Sequence, residues 1–111
     1  MFIKNLLDKN NIKYIDQYKI DNKKYWNTII RVDFVIYNNN KQFFIEYNGV
    51  QHYMPVKHFG GELKFQNQQK RDSQLRLYCE DFNIPLLEIK YDVILDNSLA
   101  SQILKFIEYE F

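Results

Sequence analysis

Two acidic residues stand where a strand would ordinarily carry apolar side chains. Asp33 lies in residues 28–37, whose alternation puts Ile30, Val32, Phe34 and Ile36 on one face and Arg31, Asp33 and Val35 on the other. Glu46 lies in residues 42–48, flanked by Phe44, Ile45 and Tyr47, with Phe44, Glu46 and Asn48 sharing a face. Between the two stretches Asn38-Asn39-Asn40 tolerates left-handed backbone and closes a hairpin. That hairpin brings one carboxylate from each strand toward a shared end. Asp33 alone also reads as an edge-strand aspartate paired with Arg31 or a lysine. A second acid at hairpin spacing, among neighbours where a carboxylate is expensive to bury without a cation, turns the reading toward a joint site.

The remaining patterns supply the frame. Phe2, Ile3, Leu6 and Leu7 have helical spacing over residues 2–9, and Asn10-Asn11 stops that helix. Residues 12–20 alternate as a first strand, followed by a turn at Asp21-Asn22-Lys23-Lys24. Residues 49–63, with Pro55 and Gly60-Gly61, read as a long irregular loop of the kind that is usually functional. Residues 64–82 contain no breaker and place Leu75, Tyr78, Cys79 and Phe82 on one helical stripe. The same wheel turns Gln68, Arg71 and Asp72 inward and Lys70 away; polar groups on an inward stripe need partners. Residues 85–89 form a buried strand, and Asn97-Ser98 caps a last helix ending near Glu110. The expected order is helix, three strands, helix, strand, helix. This is an α/β fold with a mixed central sheet flanked by helices, in a single domain over residues 1–111.

Composition narrows the partners. Fifteen Lys and Arg against fourteen Asp and Glu leave a net charge of +1, so any nucleic-acid affinity must come from a local patch. At 46% hydrophobic and 26% charged the chain belongs to packed globular proteins, and 111 residues build one core, not two. No apolar run reaches the ~18 residues of a membrane span, and the start is too short and polar for a signal peptide. A cytoplasmic location is expected. The single Cys79 forms no internal disulfide and no cysteine-based zinc cage.

Asp33 and Glu46 on one side would make an all-oxygen site suited to Mg²⁺, with Mn²⁺ as a substitute, and the Tyr47 carbonyl as a further ligand. Such a cation polarises a phosphoryl oxygen, lowers the pKa of a bound water and neutralises transition-state charge, which is a nuclease design. His52 or Gln51 is placed to handle the attacking water, although His52 also reads as a ring stacked on Tyr53 or Tyr47. His52 and His58 lack the further ligands that zinc requires. Asn48-Gly49 reads equally as a turn. Arg71 and Asp72 form either a buried ion pair or a support for the metal site. Lys57, His58, Lys64, Lys70, Arg71 and Arg76 cluster after the acids. They read equally as ordinary solvated surface charge. With Gly60-Gly61, whose backbone N–H groups suit phosphate, and Tyr53 and Phe59 as stacking faces, Lys57, His58, Lys64 and Arg71 are the expected DNA contacts.

Val32-Asp33-Phe34, followed by Ile45-Glu46-Tyr47-Asn48-Gly49-Val50-Gln51-His52-Tyr53, resembles the PD-(D/E)XK nuclease superfamily. Within it the pattern is similar to the very-short-patch-repair endonucleases and related phage homing endonucleases. Asp72, Tyr78-Cys79 and Ile84-Pro85-Leu86-Leu87 extend the likeness over most of the chain. The resemblance implies a restriction-endonuclease-like αβββαβ core and an Mg²⁺-dependent endodeoxyribonuclease leaving 5′-phosphate and 3′-hydroxyl ends, in a homing, repair or restriction-like setting. It also implies a phage or mobile-element origin. Asp33, Glu46, Asn48, Gln51, His52 and Asp72 are the implied catalytic set. Asn48 stands where the superfamily usually has lysine, so a cation such as Arg71 would have to substitute. Relatives often carry a glutamate one turn into the first helix, and this chain begins just where it would lie. Double-strand cleavage would call for a homodimer on DNA. The alternative is a nuclease fold without catalysis, binding nucleic acid or a protein partner.

Overall fold

The computed structural model describes residues 1–57 and 60–109. Within them the order is α1 (Phe2–Lys9), β1 (Lys13–Ile20), β2 (Ile30–Asn38), β3 (Lys41–Asn48), a 3-10 turn at Val50–His52, α2 (Gly61–Asp81), β4 (Leu86–Lys90) and α3 (Asn97–Phe106). The expected α/β architecture is present. One mixed sheet runs β1-β2-β3-β4, antiparallel through β3 and parallel between β3 and β4. Parallel neighbours need a crossover, and α2 supplies it. The β2–β3 hairpin closes on Asn39 and Asn40, both at positive φ, the backbone a two-residue turn demands. No helix among the described residues is long and apolar enough to cross a membrane.

Each sheet face has its own core. On one, Ile3 and Leu7 of α1 and Leu99, Ile103 and Leu104 of α3 pack on Phe34, Ile36, Phe43, Ile45 and Ile89. On the other, Leu75 and Cys79 of α2 pack on Val32, Val35 and Phe44, with Tyr25 and Trp26 from the β1–β2 connection. Burial pushes the Cys79 thiol up to about 12, leaving it a packing group.

The simple alternation expected for β2 fails at Asp33. Ile30 and Val32 belong to the α2 side, whereas Phe34 and Ile36 belong to the α1/α3 side. The same switch occurs on β1, from Tyr14 on the α1/α3 side to Tyr18 and Ile20 on the α2 side. The change is centred on the pair of Gln17 and Asp33. Gln17 takes left-handed backbone (φ 48), while regular pairs Asp16↔Phe34 and Tyr18↔Val32 flank it. Asp33 therefore sits where both strands exchange faces.

Other boundaries move for local reasons. α2 begins at Gly61 instead of residue 64, because Gly60 ends the loop at φ 96, where an added Cβ would meet the Lys64 Cβ at 2.8 Å. Phe82 leaves the inward stripe: it follows the end of α2, is exposed, and packs on Tyr78 with ring centroids 4.7 Å apart. The cap of α3 is Asp96, whose side chain accepts from the amides of Ser98 and Leu99, and Asn97 and Ser98 are already helical. α3 stops at Phe106; Glu110 lies outside the described residues. Replacing Asp96 with alanine should lower stability by about 1 kcal/mol, read as a lower urea midpoint. An unchanged midpoint would mean that the cap contributes nothing.

Candidate active site

The exchange of faces in β2 and the end of the β2–β3 ladder coincide. Regular pairing between these strands stops at Phe34↔Ile45, and beyond it the Asp33 side chain takes over. Its carboxylate accepts the Tyr47 amide at 2.7 Å and, at 3.4 Å, the Gln17 side-chain amide. The Asp33 amide in turn donates to Glu46 Oε2 at 3.4 Å. The two acids that the hairpin was expected to bring together do meet. Glu46 faces α2 and is 4% exposed.

Arg71 closes the arrangement from α2. Its Nη2 donates to Glu46 Oε1 at 3.1 Å and to the Arg31 carbonyl at 2.6 Å, and its Nη1 donates to Asp72 Oδ1 at 3.2 Å. Asp72 also accepts from Gln68 at 2.9 Å, and its Oδ2 lies 2.8 Å from His52 Nδ1. One polar chain thus runs from Asp33 through Glu46, Arg71 and Asp72 to His52. Among the described residues no buried side-chain polar atom lacks a partner.

The charge states follow from these contacts. Burial pushes the Glu46 carboxyl up to about 7 against the pull of Arg71, and the neighbouring Asp33 adds to the rise. Burial also works upward on Asp72. There the hydrogen bonds from His52 and Gln68 and the charges of His52 and Arg71 prevail, and its carboxyl lies below the ordinary value. An ionised Asp72 only accepts, so His52 Nδ1 carries the proton toward it, and Nε2 is the ring nitrogen not engaged by Asp72.

Two carboxylates are oxygen donors of the kind a hard dication takes, and Mg²⁺ commonly uses one or two of them and completes its shell with water and phosphate. Here both Glu46 oxygens already accept, from Arg71 and from the Asp33 amide. No three His, Cys, Asp or Glu side chains converge as ligands among the described residues. Such an ion would rest on Asp33 and Glu46, with its remaining positions open to other oxygens.

The other expected site residues scatter. Asn48 is buried, and its amide donates to Glu88 at 3.4 Å, not to either acid. Gln51 turns to a different hollow, shared with Gly60, Gly61, Lys64 and Gln68. Lys57 is exposed at the end of the loop, and His58 and Phe59 lie outside the described residues. The Gly60 and Gly61 amides donate to the carbonyls of Lys57 and Val56, so they are not presented to a phosphate as expected. His52 and Tyr53 are tilted at 6.4 Å and not stacked.

Sequence reading missed Glu88. It is the register partner of Glu46 on β4, held by Arg76 at 2.9 and 3.0 Å. An acid between Leu87 and Ile89 in a strand expected to be buried was the available signal. In the structure β4 is an edge strand in which Ile89 alone is buried. It also missed the bond from the Trp26 indole to the Arg71 carbonyl at 3.5 Å, which no local pattern encodes.

No family model matches the chain, and no solved structure matches it. Among curated proteins, Uncharacterized protein 307L of Invertebrate iridescent virus 6 is 46% identical over 50 residues, 44% of this chain and 25% of the viral protein. Uncharacterized protein 094L of Frog virus 3 (isolate Goorha) is 37% identical over 59 residues, 51% of this chain and 38% of the viral protein. The chain is therefore similar to segments of two viral proteins and spans well under half the length of either.

Proposed function

We propose that the chain is an Mg²⁺-dependent endonuclease acting on DNA, with Asp33 and Glu46 as the metal-holding pair. The observation that carries this reading is the meeting of two carboxylates where the β2–β3 ladder ends, one of them buried and held against an arginine. The cation would supply charge neutralisation at the scissile phosphate. Asp33 and Glu46 would hold it, with the Tyr47 carbonyl as a further oxygen ligand. Arg71 offers a fixed positive charge beside the pair, in the role that lysine usually fills in the superfamily this sequence resembles. His52, oriented by Asp72 through Nδ1, would accept a proton at Nε2 from the attacking water. One copy suffices for a nick, whereas double-strand cleavage calls for two.

The test is incubation with supercoiled plasmid and with single-stranded DNA in Mg²⁺, Mn²⁺ or EDTA. Metal-dependent nicking is expected. Its absence on every substrate, with DNA still bound, would move the assignment to the second reading. That reading is a non-catalytic nucleic-acid-binding module, favoured by the Glu46–Arg71 ion pair, in which guanidinium permanently takes the place of a metal ion. A further expected result concerns His52→Ala: the turnover rate falls by about 10²-fold or more while DNA affinity stays unchanged. Loss of affinity with unaltered turnover would assign His52 to binding instead.

A further inference from the structure

A cleft of about 590 Å³ opens on the far side of Arg71 from His52, between the β1–β2 connection and α2. Its walls present Lys23, Lys24 and Asn27 from the connection and Lys70, Arg71 and Gln74 from the helix, and no carboxylate is among its lining residues. Three lysines on one surface, beside an Arg71 whose charge is met by Glu46 and Asp72, are a local excess in a chain whose net charge is +1. The three lysines are exposed, and none forms an ion pair among the described residues. Ammonium groups gathered without counter-charge repel one another, and an anion laid between them relieves that repulsion.

The cleft is also held in shape. The Tyr25 hydroxyl donates to Asp81 near the end of α2, and the Trp26 indole donates to the Arg71 carbonyl. Both rings are buried, so the connection is pinned to the helix at two points. The Lys24 ammonium rests 5.5 Å from the centre of the Tyr25 ring. On α2, Lys70 and Gln74 are four residues apart and share one stripe, whereas Lys64 and Gln68 face another hollow. Arg71 belongs both to the cleft and, through Glu46, to the acid pair.

We infer that this cleft seats the sugar-phosphate backbone of a DNA strand, with Lys23, Lys24 and Lys70 on successive phosphates and Arg71 at the end nearest Asp33 and Glu46. Side-chain amides at Asn27 and Gln74 add neutral donors of the kind that fix a backbone without reading its bases. The strand path is thereby assigned to the β1–β2 side of α2, away from the loop carrying Lys57 and from the hollow that Lys64 lines. The direction toward the acids rests on the endonuclease reading; the binding itself does not.

The experiment is fluorescence anisotropy of labelled single-stranded DNA, duplex DNA and RNA in EDTA, over about 50 to 200 mM salt. The wild-type chain, the triple variant Lys23→Ala/Lys24→Ala/Lys70→Ala and the control Lys9→Ala/Lys105→Ala on the opposite helical layer are compared. All five lysines are exposed, and thermal melts establish that each variant folds. In the triple variant the slope of log K against log salt should fall by about one per lysine removed, and low-salt affinity by at least about tenfold. The control should match wild type, and the three probes decide between single strand, duplex and RNA. Equal binding by the triple variant, or no salt-dependent binding by wild type, overturns the inference. Parallel plasmid assays separate it from the endonuclease reading. Lysine-sensitive binding without metal-dependent cleavage leaves the cleft standing and the enzyme fallen. Cleavage that depends on Glu46 but not on these lysines does the reverse.

Discussion

Replacing Glu46 with glutamine is expected to reduce metal-dependent cleavage by about 10³-fold or more, the several kcal/mol that a bound cation contributes to charge stabilisation at phosphorus. Glutamine keeps the shape and one carbonyl oxygen of the side chain, so the Asp33 amide retains its acceptor. What disappears is the negative charge that holds a dication. Asp33→Asn should cost a similar factor, with one difference. Asp33 also accepts the Tyr47 amide where the ladder has ended, and the side-chain carbonyl oxygen of an asparagine can still do so. Both variants should therefore fold, and both should bind DNA in EDTA at least as well as wild type, since each removes a negative charge near the phosphate path. The informative quantity is single-turnover cleavage under saturating protein, which separates chemistry from affinity. Undiminished cleavage in Glu46→Gln would remove Glu46 from the metal site and with it the central claim of the endonuclease reading.

The sequence carried the topology because each element had a local cause. The Asn-rich turn, the apolar spacing of residues 2–9 and the unbroken run before Asn83 each act over a few residues. So did the pairing of Asp33 with Glu46, which a hairpin of this length enforces through register alone. The inward aim of Gln68, Arg71 and Asp72 followed from helical geometry, and the structure supplies the partners that such groups require. What stayed hidden depends on contacts between distant segments. Nothing near Gln17 announces a left-handed residue, yet both strands exchange faces at its pair with Asp33, leaving Ile30 and Val32 on the opposite face from Phe34. Asn48 could be placed on the Glu46 face but not given its partner, since Glu88 reaches it only through the parallel β3–β4 register. The lysines after Ile20 looked like an ordinary turn until α2 was laid beside them.

The same Glu46→Gln substitution should change how stability depends on pH, and in the direction opposite to that of an acid whose pKa is depressed by a partner. In the wild-type chain the Glu46 carboxyl rises from its ordinary 4.5 to about 7 on folding, chiefly because burial disfavours the charge. The folded state therefore holds a proton that the unfolded chain has released, and stability must fall as pH rises between those two values. Below about 4.5 the contribution is nil; above about 7 the full penalty, on the order of 3 kcal/mol, is present. Glutamine cannot titrate, so this slope vanishes in the variant. Whatever Glu46→Gln loses at the Arg71 ion pair, its stability relative to wild type should improve by about 3 kcal/mol from about pH 4.5 to about pH 8.5, read by urea titration at both pH values in EDTA. Mg²⁺ should then restore wild-type stability selectively at the higher pH, because a cation between Asp33 and Glu46 favours the ionised pair that burial opposes. A pH-independent stability difference between the two proteins would mean that folding leaves the Glu46 pKa at its ordinary value, the cost of burial fully met by Arg71. That outcome would favour the arginine-locked binding module over a site that takes up a metal.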